Sequence, residues 1–214
     1  MGIQERKKRH INELRSRILA EAEQLFVEEG YQNVSMRKIA ARIEYSPTTI
    51  YRLFESKAVI MRLLIADGYR RVYEQYQRIL AEPSGSALQT LASVVRTYVD
   101  FALDNPNHYS LWFATSELEV VENRLQMRHG ESKYRVYQTW LDLIEECKSE
   151  GVFVGTDTLS AFQLVWGAVH GLIALRIQHP RFPWMPREQH IDQLLSMIEL
   201  GLARAPGSEG GSSA

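Results

Sequence analysis

The chain has 214 residues, is 45% hydrophobic and 24% charged, and carries 25 Lys+Arg against 26 Asp+Glu. That balance excludes a disordered chain, a collagen-like fibre and a polycation, and the length suits one large domain or two small ones. The single cysteine, Cys147, allows no intramolecular disulfide. It also leaves a zinc site short of thiolate ligands, and it points to the cytoplasm.

Charge is split along the chain. Residues 1–62 hold 12 Lys+Arg against 8 Asp+Glu, a net +4, while the remainder carries −5. A basic first third suggests a polyanionic partner at one end only, although basic solvated faces are common. No apolar stretch follows the charged residues Glu5 to Arg9, so no secretory signal is expected. The longest uncharged stretch, Thr158–Leu175, sits at the lower limit for a membrane span and contains Ser160, Gln163 and His170. It reads as a buried helix.

Helical periodicity runs through the whole chain and predicts an all-α fold of about nine helices. Residues 1–10 are expected to be a basic arm or a solvated tail. Ile11, Leu14, Ile18, Leu19, Ala22, Leu25 and Phe26 form an amphipathic stripe that should end at Gly30. Ser35 is a good N-cap for a short helix to about Arg42, and Ser46-Pro47 starts a second short helix with a cap and a first-turn proline. Ser56 caps a longer connecting helix to about residue 82. Further helices are predicted at about 86–104, 106–128, 130–150, 157–179 and 187–204, followed by a Gly/Ser-rich tail, 205–214, expected to be disordered.

Two short helices separated by about three residues have the dimensions of a helix-turn-helix, whose second helix enters a DNA major groove. An ordinary helical hairpin has the same pattern. The segment Ile18-Leu19-Ala20-Glu21-Ala22, Leu25-Phe26, Gly30-Tyr31, Val34 to Ala40 and Tyr45 to Lys57 resembles, over about 50 residues, the DNA-binding domain of TetR-family transcriptional regulators. The resemblance implies a homodimer whose subunits each have a DNA-binding domain (11–57, motif 35–54) and a helical ligand-binding and dimerisation domain (86–204). Glu44 stands where the family's turn usually has glycine, and Thr48 where the recognition helix often has glycine or alanine. A residue at Glu44 with positive φ should cost on the order of 1 kcal/mol relative to glycine.

Ser35, Met36 and Arg37 open the bracing helix, whose N–H groups and dipole suit a phosphate. Ser46, Pro47, Thr48 and Thr49 open the recognition helix and should face base edges, with Arg52 a turn further on. Tyr51 and Lys57 match family positions that hold phosphates. Partial packing is the alternative for Tyr51 and plain solvation for Lys57. Two recognition helices about one DNA turn apart imply a near-palindromic operator and steep salt dependence.

The C-terminal region is rich in aromatics. Trp112, Phe113, Glu117, Trp140, Trp166 and His170 are candidates for a largely apolar ligand cavity. Taken singly, each of them fits a plain core better than a cavity, and His170 a structural role better than a pocket or interface one. Trp166-Gly167-Ala168-Val169-His170-Gly171 resembles a tryptophan–histidine–glycine motif of one TetR subgroup. Gly167 and Gly171 lower helix propensity by about 1 kcal/mol each, which suggests close helix approach within the subunit or across a dimer. The resemblance implies an intersubunit bundle of the last two helices, and Ile191, Leu194, Leu195, Ile198 and Leu202 supply a stripe for it.

No cofactor or metal is expected, no membrane partner, and no enzyme. The six histidines form no His-Glu-x-x-His, and no Gly-x-Ser-x-Gly or phosphate-binding loop occurs. A constitutive DNA-binding protein without a ligand and a helical-bundle enzyme are the competing classes. The expected function is a cytoplasmic DNA-binding transcriptional repressor, released from its operator by a small hydrophobic effector.

Overall fold

A computed structural model describes residues 2–83, 85–113 and 131–203. Among these there are nine α-helices and no strand. They are α1 (Ile3–Glu29), α2 (Met36–Arg42), α3 (Pro47–Leu53), α4 (Lys57–Ala81), α5 (Ala87–Asp104), α6 (Pro106–Phe113), α7 (Ser132–Ser149), α8 (Thr158–Gln178) and α9 (Arg187–Leu202), with a 3-10 turn at Tyr31–Asn33. The chain divides into two compact units, Met1–Gly68 with Asn105–Gln126, and Tyr69–Asp104 with Met127–Ala214. Residues 106–113, counted with the C-terminal domain in the sequence reading, therefore belong to the first unit.

In the first unit, local chemistry sets each helix boundary. The Ser35 hydroxyl accepts from the Lys38 N–H at 3.2 Å, and the Ser46 hydroxyl accepts from the Thr49 N–H at 3.2 Å. Each satisfies one orphan donor of a helix N-terminus. Gly30, at φ 79°, ends α1. The expected arm is instead helical: α1 begins at Ile3, eight residues before the apolar stripe. Gln4 to Arg9 are strong helix formers, and the Glu5 carboxylate accepts from the Gly2 N–H at 3.0 Å. Ile18, Ala22, Leu25 and Phe26 of α1 then pack with Ile39 and Ala40 of α2, Ile50 of α3, Ile60 and Met61 of α4 and Leu111 of α6.

In the second unit, α5, α7, α8 and α9 pack together around Val94, Val95, Tyr98, Ile144, Val165, Val169 and Ile173, all buried. Tyr76, from the second half of α4, is fully buried, and its hydroxyl accepts from Trp140 Nε1–H at 2.9 Å. Burial pushes the Tyr76 phenol far above its usual value, so it stays protonated. The Asp157 carboxylate caps α8 through the Ser160 N–H at 3.0 Å. Although α8 is apolar on all sides, it is only partly buried. Leu159, Leu164 and Leu175 are exposed, against the expectation of a buried helix.

Glu44 has φ 61°, the only positive φ at a non-glycine residue among the described residues. Its N–H reaches Ala41 O at 3.1 Å, and the Tyr45 N–H reaches Ala40 O at 3.0 Å, so the turn closes α2 with its carbonyls satisfied. Glu44→Gly is expected to stabilise the protein by about 1 kcal/mol. In thermal unfolding that is a rise in Tm of roughly 2–4 °C for a chain of this size.

Candidate functional site

The solvent face of α3 carries Pro47, Thr48, Tyr51 and Arg52, all exposed, while Ile50 on the opposite side is fully buried. These exposed residues fall at i, i+1, i+4 and i+5, so they share one face of the helix. Tyr51 is 55% exposed, which excludes packing as its main role. Arg37 projects from the first turn of α2. The arrangement joins hydroxyls, a phenol and two guanidinium groups around the open end of a seven-residue helix. That combination suits base edges and phosphates.

Four of the expected contact residues sit differently. Met36 is 5% exposed, with its side chain in the core, so only its backbone N–H can face a phosphate. Ser46 and Thr49 hydroxyls lie 2.9 Å from each other within the α3 cap, and Thr49 is half-buried. The Lys57 ammonium is turned into the fold rather than out to solvent. Its Nζ donates to Tyr31 O (2.8 Å), Val34 O (2.9 Å) and Gln32 O (3.3 Å), and it lies 4.3 Å from the Tyr31 ring centroid. An ammonium has three donors, and all three are occupied. Burial lowers the Lys57 pKa.

Two arginines of α1 act in the same way, and the sequence reading missed both. Arg15 Nη1 donates to Leu53 O at 2.8 Å, with the guanidinium 4.5 Å from the Phe54 ring centroid. Arg17 Nη2 donates to Ile43 O at 3.4 Å and lies 6.0 Å from the Tyr45 ring centroid. The last carbonyls of a helix have no partner within it and carry partial negative charge. One cation therefore closes the end of α2, another closes the end of α3, and Lys57 holds the segment leading into α2. Lys38 pairs with Glu29, and Arg42 with Glu28 and Glu21. Part of the basic charge expected to meet a polyanion thus holds the helix-turn-helix in shape.

Five of the six expected cavity residues are described, and each unit holds some of them. Trp112 and Phe113 belong to the first unit, where their rings meet Tyr109 at 6.4 and 4.9 Å. Trp112 also lies 3.0 Å from where a Cβ on Gly68 would stand. Glu117 lies outside the described residues. Trp140, Trp166 and His170 do come together in the second unit around Tyr98, whose ring centroid is 5.5 Å from Trp140 and 5.4 Å from His170. Tyr137 and Phe162 complete the cluster at 6.3 and 6.4 Å from Trp166. The Tyr98 hydroxyl is 3.3 Å from His170 Nε2. Burial lowers the His170 pKa to about 4, so its imidazole is neutral near pH 7. Trp166 Nε1 is buried and makes no hydrogen bond among the described residues.

The stripe expected at a dimer interface is corrected more sharply. Ile191, Leu194, Ile198 and Leu202 are buried within the subunit, and Leu195 is half-buried. Gly167 and Gly171 are exposed, with nothing within 4 Å of an added Cβ among the described residues, so neither serves close approach there. They lie on a face of α8 with Leu164 and Leu175, which are 61% and 47% exposed. On α9 the exposed apolar residues are Met197 and Leu200.

Two measurements check these assignments. Arg15→Met and Lys57→Met are each expected to destabilise the protein by about 1.5–3 kcal/mol in denaturant unfolding, through lost charged hydrogen bonds. Arg52→Ala should stay within about 0.5 kcal/mol of the parent. The unfolded chain takes up the His170 proton below about pH 6.5, whereas the folded chain takes it up only near pH 4. Stability is therefore lost as pH falls through that window, by about 2–3 kcal/mol between about pH 7 and pH 4.5. His170→Gln should flatten that part of the profile.

Comparison with known proteins agrees with this geometry. Residues 18–64 match the family described as bacterial regulatory proteins, tetR family, and residues 91–198 match the tetracyclin repressor-like C-terminal domain. The chain is 25% identical over 92 residues, 43% of its length, to the uncharacterized HTH-type transcriptional regulator YobS of Bacillus subtilis. That match spans 47% of the relative's length. Among solved structures it is similar in fold to the TetR family transcriptional regulator PfmR from Thermus thermophilus, with a TM-score of 0.71 and 22% identity over 88% of this chain and all of that one. It is similar also to the ketosteroid transcriptional regulator KstR2 of Mycobacterium tuberculosis, with a TM-score of 0.69 and 17% identity over 89% of this chain and 95% of that one.

Proposed function

Because the chain belongs to the tetR family of bacterial regulatory proteins and is a DNA-binding transcriptional regulator, we propose that it is a homodimeric cytoplasmic repressor released from a near-palindromic operator by a small, largely apolar effector. The observation that carries this reading is the exposed face of α3, held open by cations at the ends of the helix-turn-helix. Thr48 and Arg52 read base edges there. Tyr51, Arg37 and the backbone N–H groups of Ser35, Met36 and Arg37 meet phosphates. Lys57 contributes its backbone N–H at the start of α4, because its ammonium is already committed.

The second copy covers the exposed face of α8 with Leu164, Gly167, Gly171 and Leu175, together with Met197 and Leu200 of α9. Two glycines with open space beside them among the described residues suit close approach of a partner helix. The effector is taken up at the aromatic cluster around Tyr98, Trp140, Trp166 and His170. A hydrogen-bond acceptor on it would satisfy the buried Trp166 N–H, and a neutral His170 fits an uncharged ligand. Effector binding favours a conformer whose two recognition helices no longer match the half-site spacing, and release follows from the difference in affinity between the two states. The reading assigns the chain no catalytic step.

Selection of DNA sites from a random pool by the purified protein, read by sequencing, tests the proposal. The expected result is a near-palindromic consensus that disappears in the Thr48→Ala/Arg52→Ala double variant. A consensus without two-fold symmetry would remove the dimeric reading, and no enrichment at low salt would remove the operator.

A further inference from the structure

The first turns of α1 form a solvent-exposed helix. Residues 4–13 are all exposed, and the first buried side chain is Leu14. Within this extension Arg6, Lys7, Lys8 and Arg9 are consecutive, and four consecutive residues go once around a helix. They ring the helix with positive charge rather than forming a single basic face. Glu5, whose carboxylate is turned back to the Gly2 N–H, and Glu13 are the acidic residues nearby, and His10 is the other titratable group. An ordinary amphipathic helix has no reason to carry cations on every side.

The rest of the first unit sharpens the point. Among the twelve Lys and Arg residues before position 63, Arg15, Arg17 and Lys57 lie on backbone carbonyls, and Lys38 and Arg42 on glutamates. The extension holds four of the twelve. It also leaves the core beside the recognition helix, since Arg15 and Arg17 tie α1 to Leu53 O and Ile43 O, the carbonyls at either end of the segment containing α3. From Arg15 back to Ile3 the helix runs about 18 Å at 1.5 Å per residue, a span of roughly five nucleotides along one strand.

We infer that the extension of α1 lies on the phosphates of duplex DNA just outside the half-site read by α3. Duplex DNA is the occupant because a ring of cations at this distance complements a regular array of phosphates. The inference rests on the DNA-binding reading above and adds an element that contributes affinity but no sequence preference.

The test is the full-length variant in which Arg6, Lys7, Lys8 and Arg9 are all replaced by Gln, which keeps helix propensity. Binding is measured against salt concentration on the selected operator, with flanks of about ten base pairs and again trimmed to the consensus. The expected variant selects the same consensus and unfolds thermally like the parent. Its slope of log affinity against log salt is shallower by about 2 on the flanked duplex, at roughly 0.9 per lost phosphate contact, because only the side of the ring facing the duplex meets phosphates. Affinity at low salt falls at least tenfold, and trimming the flanks removes most of the difference between parent and variant. An unchanged slope on the flanked duplex overturns the inference while leaving the regulator intact. An unchanged slope with parent binding to anionic phosphatidylglycerol vesicles also overturns it, by moving the surface to a membrane. A parent protein that selects no duplex overturns both this inference and the DNA-binding reading.

Discussion

The helix-turn-helix depends on one interaction, repeated three times: a cation capturing the backbone carbonyls at the end of a short element. Seven-residue helices such as α2 and α3 are too short to be stable alone, because nucleation costs more than so few hydrogen bonds return. Their C-terminal carbonyls also carry the negative end of the helix dipole. Arg17, Arg15 and Lys57 meet this need at Ile43, Leu53 and the 31–34 segment, each with an aromatic ring beside it. The solvent face of α3 is available for a partner because its other obligations are met from behind. A fixed face matters for recognition, since a mobile one would lose affinity to ordering costs.

Much of this was legible in the sequence where a rule is local. Ser35, Ser46-Pro47 and Gly30 mark helix boundaries through the backbone groups they satisfy or free, and the structure has the boundaries there. Glu44 was identifiable as a residue with positive φ because the family that the segment resembles usually has glycine there. The partners of the Lys57 ammonium were not legible, because they are carbonyls more than 20 positions earlier. The start of α1 was missed because the apolar stripe marks where a helix is buried, not where it begins.

The same ambiguity affected α9. A regular stripe such as Ile191, Leu194, Ile198 and Leu202 tells that one face is covered, but not whether by the same chain or another. Here its own subunit covers it. The less regular apolar residues, Leu164, Leu175, Met197 and Leu200, are the ones left outside. For the aromatic residues, sequence distance was a poor guide. Trp112 and Trp140 are 28 positions apart and fall in different units, whereas Tyr76 and Trp140, 64 positions apart, share a buried hydrogen bond.

The turn at Glu44 has an evolutionary side. Both glutamate codons become glycine codons by a change of their second base, so the relaxed turn is one point mutation away. The strain at this residue, about 1 kcal/mol, is therefore a reserve that a lineage can release in one step. A substitution elsewhere that erodes the core by a similar amount need not be reverted at its own site, because the turn offers a compensating change that touches neither the core nor the exposed face of α3.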